Sequence, residues 1–451
     1  MDPEKSDTKV TQNSRNSVTQ NNKISKKGKM ILRRYIGKRL SEYYQQPSHM
    51  VVGSINNDKY LLDQVWLGKW QYQYLYSKYY NNHTYNNQGQ WLTPVELFAP
   101  YYSQILANYI MTSSLAKQQQ RIRIVELGGG HGTNAKHILQ HLSSSSNDST
   151  IIDSYTIVDS SPTLQQHQRQ VLSKVNDTIM MKTPIQFVSA DIMTLAENNN
   201  NSKEEEDTTT TSVFSHLFPK NDDEEDVMTF ILGLEVLDNL PHDKVQAIYS
   251  KKINKHHKPS YLQGQVNLQQ MTEEMVPMQD TLLQRIIPHY PLLIQQQDSS
   301  SNHPEVVQWI PSVACGFLYR LFHECQNQNW NVLFADFDYL PPPTLQNNSN
   351  KKQRKSIPAL EEPLITCMKD QDHECYLTYL DNCDILYPTN FDALAQFVRN
   401  CSQNSKKVTV MKQAEFLQLH GPQQIEATTS LGYTPLLHDF SNCSILTVRN
   451  K

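Results

Sequence analysis

Residues 121–142 read RIRIVELGGGHGTNAKHILQHL, and this stretch decides the fold. Arg121–Leu127 is a short β-branched run of strand length. Four glycines then fall within five positions, at Gly128, Gly129, Gly130 and Gly132, and the residues after them take a helical pattern. The chain has only 14 glycines in 451 residues, about 3% where about 7% is usual. A sequence so poor in glycine places a cluster of them where backbone turns tightly or approaches a ligand. Strand, glycine turn and helix together form the unit of a parallel α/β sheet, which binds ligands at the carboxyl ends of its strands.

The same alternation continues outward. SYTIVDSS (154–161) is a second strand followed by a helical TLQQHQRQVLSKV, and IQFVSAD (185–191) is a third. VMTFILGLEVLDNLP (227–241) opens as an almost wholly apolar fourth strand, a composition that fits burial on both faces, and WNVLFADFDYLP (330–341) is a later one. Strands alternating with helices predict an α/β, Rossmann-like fold with a mostly parallel sheet. Residues 59–120 read as an N-terminal helical segment. Within it Thr93 followed by Pro94 and Glu96 has the pattern of a helix cap, and Leu97, Tyr101, Ile105 and Tyr109 recur at helical spacing. Polar, low-complexity insertions fall near 195–226, 295–304 and 345–356 of the remaining domain, 121–451.

Residues 1–58 read as a disordered, basic tail. Between Asp7 and Glu42 there is no acid and ten Lys or Arg, with MILRRYIGKRL as the amphipathic part. That composition fits a mitochondrial presequence, and it also fits a solvated basic tail.

Overall, 41 Lys+Arg against 45 Asp+Glu gives a net charge of −4, which argues against a nucleic-acid-binding chain. No apolar run reaches the ~18–20 residues of a membrane span. All seven cysteines lie from Cys315 onward without CxxC spacing, which favours unbridged thiols. His373 and Cys375 lack a second ligand pair at metal spacing, so no metal is expected.

Spacing narrows the chemistry. A dinucleotide fingerprint needs a third glycine where Thr133 stands, and no Gly-Lys-Ser/Thr follows for a phosphate loop. What stands here is Glu126-x-Gly128-x-Gly130-x-Gly132, the pattern of S-adenosylmethionine-binding methyltransferases. A nicotinamide or flavin site and a purely structural turn stay open beside it. Asp159, at the tip of the second strand, is placed to accept hydrogen bonds from a ribose diol. Asp191, at the tip of the third, is placed for an adenine amino group, although an acid at a strand end also serves as a turn or cap. Past the fourth strand, Glu235 and Asp238 present two carboxylates, which match a guanidinium fork from two sides; capping of the next turn is the structural alternative for Asp238. His242 is a loop histidine, expected to be solvated. The aromatic run at 66–80 is expected in a core or an interface.

Several motifs, in order, resemble the MidA-type family, that of the mitochondrial complex I assembly factor with protein arginine methyltransferase activity. They are GQWLTPVELFAPYY, IVELGGGHGT, IVDSSPTL, LEVLDNLPHD, VLFADFDYLP, CDILYPTNF and GYTPLLHDFSN, spread between Tyr72 and Asn442. The resemblance implies a seven-stranded methyltransferase fold, S-adenosylmethionine as methyl donor, and the mitochondrial matrix as site of action. It also implies symmetric dimethylation of an arginine in a complex I subunit. By position it assigns the cofactor to Glu126, Gly128, Gly130, Gly132, Thr133 and Asp159. Thr93, Pro94 and Glu96 match an element that closes over the cofactor, and Glu235 and Asp238 match the family's two acids. The sequence departs from the family pattern at Gln90, His131, Leu234 and Val236-Leu237. The departures leave room for a catalytically inactive assembly chaperone or a methyltransferase with another protein substrate.

Overall fold

A computed structural model of the chain describes residues 28–45, 52–53, 59–85, 91–115, 121–145, 151–175, 183–197, 213–215, 217–218, 227–248, 259–292, 306–326, 328–342, 359, 361–367, 371–373, 375–377 and 383–450. Gln90 and the expected insertions at 295–304 and 345–356 lie outside them.

Strand β1 (Lys29–Ile31) and helix α1 (Leu32–Tyr44) come first, then α2 (Gly68–Tyr85), α3 (Pro94–Leu97) and α4 (Tyr101–Leu115). The alternating region runs β2 (Arg121–Leu127), α5 (Thr133–Ser145), β3 (Ile151–Asp159), α6 (Pro162–Leu172), β4 (Ile185–Ser189), α7 (Ile192–Ala196) and β5 (Val227–Leu234). Next come β6 (Asp243–Ile248), β7 (Ser260–Asn267), β8 (Thr272–Pro277), α8 (Thr281–Ile286) and β9 (Val307–Ile310), after which α9 (Ser312–Glu324) leads to β10 (Asn329–Phe337). The chain ends through β11 (Leu364–Cys367), β12 (Gln371–His373), β13 (Cys383–Leu386), α10 (Phe391–Cys401), β14 (Lys406–Lys412), α11 (Gln413–His420), α12 (Pro422–Thr428), α13 (Pro435–His438) and β15 (Cys443–Asn450).

Seven strands form the central mixed sheet in the order β14-β15-β10-β5-β2-β3-β4. Pairing is parallel from β10 through β4, and β15 is antiparallel to both neighbours. Side chains alternate across it as a period of two requires. On β2, Ile122 and Ile124 join one core with α4 and α5, whereas Val125 and Leu127 join the other with α7, α9 and α10. The register brings the strand tips level, with Leu127 opposite Val158 and Gly233, and Leu234 opposite Ala335. All residues following these tips therefore meet along one edge.

Two further sheets are absent from the sequence reading. One is antiparallel, in the order β1-β7-β6-β9 with β8 paired to β7, and the other is β12-β11-β13. Their strands are short and separated by polar segments, so the sequence offers no long periodic run to identify them.

The N-terminal boundary at 58 is corrected. Residues 29–44 are folded, with Leu32, Tyr35, Ile36 and Leu40 buried in a third core against residues of β7, β9 and β13, and Tyr43 is buried as well. Arg33 is fully buried and ion-paired with Glu197, Asp243 and Asp280. Those partners lie more than 160 residues downstream, so locally the segment reads only as basic. The insertion at 195–226 is likewise partly core: Phe214, Leu217 and Phe218 are buried, and Phe214 and Phe218 pack on Phe317. Cys383 is disulfide-bonded, contrary to the expectation of unbridged thiols; Cys315, Cys325, Cys375, Cys401 and Cys443 are buried and stay outside disulfides. Among the described residues, no helix is long and apolar enough to cross a membrane.

Candidate functional site

The glycine turn leaves the sheet at the tip of β2. Gly128 donates its N–H to Val158 O at 2.9 Å, and Gly132 donates to Gly129 O at 2.8 Å. Gly130 has φ +50° and would place a Cβ in open space, with nothing within 4 Å. It is the point where the backbone faces the cavity. Gly129 faces inward instead: a Cβ there would lie 2.5 Å from Ile157 Cγ2.

Gln168 of α6 locks this turn to the next strand. Its Nε2 donates to Gly130 O at 2.9 Å and to Asp159 Oδ2 at 3.0 Å. Asp159 Oδ1 accepts the Ser161 N–H at 2.9 Å. Burial pushes the Asp159 carboxyl up to about 6, against the lowering effect of those N–H donors. Each oxygen of a carboxylate has two acceptor positions, so both retain capacity for a ribose hydroxyl.

A cavity of about 180 Å³ opens above the tips. Gly128, Gly130 and Asp159 line one side, Asp191 another, and Glu235, Val236 and Asn239 the far end. Helix α1 supplies the remaining wall through Gly37, Leu40, Ser41 and Tyr44. Gly37 permits the close approach, since a Cβ there would meet Met193 Sδ at 3.1 Å and Pro241 Cγ at 3.2 Å. Val52 also lines the cavity, and the imidazole of His131 sits 2.7 Å from its carbonyl. Burial lowers the His131 pKa from the ordinary histidine value, which favours the neutral ring.

The far end is a cluster of acids. Glu235 directly follows β5 in a left-handed conformation, φ +51°, which costs an L-residue about 1–2 kcal/mol. Its Oε1 is buried and has no hydrogen-bond partner. Asp238 accepts from Asn239 Nδ2 at 2.8 Å. Asp336, at the tip of β10, accepts the N–H groups of Leu237 and Asp238 at 2.7 and 3.1 Å through Oδ2, and that of Phe337 at 2.7 Å through Oδ1. Asp384 accepts from the Tyr44 hydroxyl at 3.0 Å. Burial, then mutual repulsion, raises Glu235 and Asp238 well above the carboxylate range, and burial brings Asp336 and Asp384 to about 7. No lysine or arginine among the described residues forms an ion pair with any of the four.

The structure brings only some of the expected site residues to the cavity; Asp238 is buried outside its lining, with its N–H on Asp336. Gly128, Gly130, Asp159, Asp191 and Glu235 line one cavity. Asp191 also caps α7, accepting the Met193 N–H at 2.8 Å. Glu126 stands behind the cavity: its oxygens take Asn134 Nδ2 at 2.7 Å and the Tyr155 hydroxyl at 2.9 Å, and burial lifts it to about 7. It braces β2, α5 and β3. Gly132 and Thr133 also stand outside the lining; Gly132 lets α6 pack, with Gln168 Cα 3.2 Å from where its Cβ would be. Thr93 caps α3 and Glu96 is buried there, so α1, not this element, covers the cavity. His242, expected to be solvated, is buried, stacks on Tyr387 at 4.0 Å and is held down to about 4 by burial.

Four participants escape the sequence reading: Tyr44, Gln168, Asp336 and Asp384. Asp336 carries the same signal as Asp159, an acid at a strand tip. Gln168 and Tyr44 sit on helices with no local mark.

An open backbone cradle beside two strand-tip acids fits a nucleoside-bearing cofactor, and the cation-free acids fit a positively charged acceptor. The comparisons agree with the cofactor. Two crystal structures from Burkholderia thailandensis share the fold. One, described as a superfamily member bound to S-adenosyl-homocysteine, has 14% identity and a TM-score of 0.54. The other, a native structure of an uncharacterised superfamily protein, has 14% identity and a TM-score of 0.53. Each alignment covers 94% of this chain and 88% of the other. No curated protein matches the sequence. The profile of a family described as S-adenosyl-L-methionine-dependent methyltransferases matches residues 105–409, and the chain belongs to that family.

Proposed function

We propose that this methyltransferase acts on arginine in a protein, with Glu235 and Asp238 receiving the guanidinium. One observation carries the reading: among the described residues Glu235, Asp238, Asp336 and Asp384 cluster without an ion-paired lysine or arginine, and Glu235, whose buried Oε1 has no hydrogen-bond partner, lines the cofactor cavity. Buried like charges are costly until an opposite charge joins them. A guanidinium presents five N–H donors and stays protonated. Lysine fits less well, because carboxylates favour its charged form, which lacks the lone pair that must attack.

S-adenosylmethionine, when bound, supplies a methyl group on a sulfonium. Asp159 would hold the ribose, and the Gly128–Gly130 backbone would admit the cofactor closely. Glu235 Oε1 would accept an N–H of the guanidinium and orient one nitrogen toward the cavity. Transfer would make the N–C bond as the sulfonium S–C bond breaks to leave a thioether, the nitrogen would then shed a proton, and an ionised carboxylate whose pKa is raised would be a competent acceptor. Fixed geometry supplies most of the acceleration.

We extend the proposal to symmetric dimethylation of a complex I subunit in the mitochondrial matrix. Support comes from the ordered motifs between Tyr72 and Asn442 and from the basic N-terminus. Mass spectrometry of arginine methylation in cells with and without the chain tests it. We expect one symmetric dimethylarginine to vanish from complex I. An unchanged arginine map, or methyl label on lysine, would overturn the reading. If Glu235→Gln restores complex I assembly without methyl transfer, the chain acts as a chaperone.

A further inference from the structure

A second and larger cavity, of about 1,050 Å³, lies beside the acid cluster. Its walls come from the segment after β10, the start of β11, the residues entering α10, and strands β14 and β15. The two cavities are one stretch of chain apart. Tyr387 donates its N–H to Asp238 O at 2.9 Å, and Thr389 donates to Phe337 O at 2.8 Å, while Pro388 and Thr389 line the larger space.

Its chemistry is acidic and apolar. Asp338, Glu361, Glu362 and Asp392 contribute carboxylates. Among the described residues of the lining Lys412 is the one lysine or arginine, and it is paired with Asp338. Tyr339, which is 60% exposed, and Pro342 form an apolar rim. Thr389 is 3% exposed, and its hydroxyl is buried without a hydrogen-bond partner. The volume is at the top of the range for small-molecule pockets. Excess negative charge, an exposed aromatic ring and an unmet hydroxyl suit a basic peptide: its cations meet the carboxylates, an arginine stacks on Tyr339, and its polar groups reach Thr389.

We propose that this groove seats the basic polypeptide segment flanking the acceptor arginine. The inference rests on the arginine reading, since it names the substrate class of the same site. Its test is fluorescence anisotropy with the full chain and labelled twelve-residue peptides. One peptide carries a central arginine among lysines, and the other replaces those lysines with glutamates. The basic peptide is expected to bind at least about tenfold more tightly at low salt and to weaken as salt rises. The Glu361→Lys/Asp392→Lys double variant should lose about tenfold in that affinity while its cofactor affinity, read by calorimetry, stays unchanged. Tyr339→Ala, a change at an exposed position, should weaken binding several-fold.

Equal binding of both peptides, or unaltered affinity in both variants, would overturn the groove. The arginine reading fails separately. Wild type that binds the basic peptide in a groove-dependent way yet leaves every arginine unmethylated keeps the groove and loses the chemistry. Glu235→Gln should keep the peptide and lose the transfer.

Discussion

Arg33 Nη2 lies 3.0 Å from Asp280 Oδ2 in the interior, joining the first helix to the N-cap of α8, 247 residues later. The same guanidinium pairs with Asp243 and with Glu197. Removing one partner of a buried ion pair costs about 3–5 kcal/mol, because the remaining charges lose their compensation. Arg33→Ala should therefore destabilise the protein strongly and weaken cofactor binding, since α1 walls the cavity. Urea unfolding and calorimetry check both parts. A stable variant with native cofactor affinity would show that α1 is dispensable. For the same reason, protein recovered from cells should have its first residue before Lys29, which N-terminal sequencing reads directly.

The glycines separate by role. Gly130→Val places a β-branched side chain in the cavity and at a backbone angle such residues avoid. It should abolish measurable cofactor binding while lowering stability by only about 1–3 kcal/mol. Gly129→Val meets Ile157 instead, so its main effect should be a lower melting temperature. Calorimetric heats that persist in Gly130→Val would contradict the placement of the cofactor.

How much of this was legible beforehand follows from the range of each signal. The β2–Gly–α5 unit is local: a β-branched run, four glycines and a helix within 22 residues, so periodicity and turn chemistry identify it. Asp159, Asp191 and Glu235 are legible because a strand tip is a position in sequence as well as in space. The folding of residues 29–44 is not, because the carboxylates that neutralise Arg33 are far along the chain. Glu126 has the expected motif spacing, but only packing reveals that Asn134 and Tyr155 already occupy its oxygens. Asp384 follows a polar stretch, and nothing before folding links it to Tyr44.

Gln168 offers a test of the clamp between turn and strand. Gln168→Leu keeps the volume and removes both hydrogen bonds, leaving Gly130 O and Asp159 Oδ2 without this donor. Loss of a buried partner costs about 1–3 kcal/mol. Cofactor affinity should fall roughly tenfold, a loss of about 1.4 kcal/mol, with peptide binding unaffected. Equal affinity in the variant would mean that the strand tips hold themselves in place.

The acid cluster makes stability depend on pH in a stated direction. Burial raises Asp336 and Asp384 to about 7 and Asp159 to about 6, whereas an unfolded chain has such groups near ~3.9. From about pH 4 to those values the folded chain holds more protons than the unfolded one, so stability falls as pH rises, by at most about 1.4 kcal/mol per pH unit for each group. Asp336→Asn should flatten the profile measured without cofactor or substrate, because an amide has no proton to lose. Binding of a cationic peptide should show the opposite trend and strengthen through pH 7, as the carboxyl groups ionise. Urea midpoints and peptide anisotropy between pH 5 and 8 read both slopes. Parallel slopes would mean that the cation does not meet these acids, and the arginine assignment would fall with them.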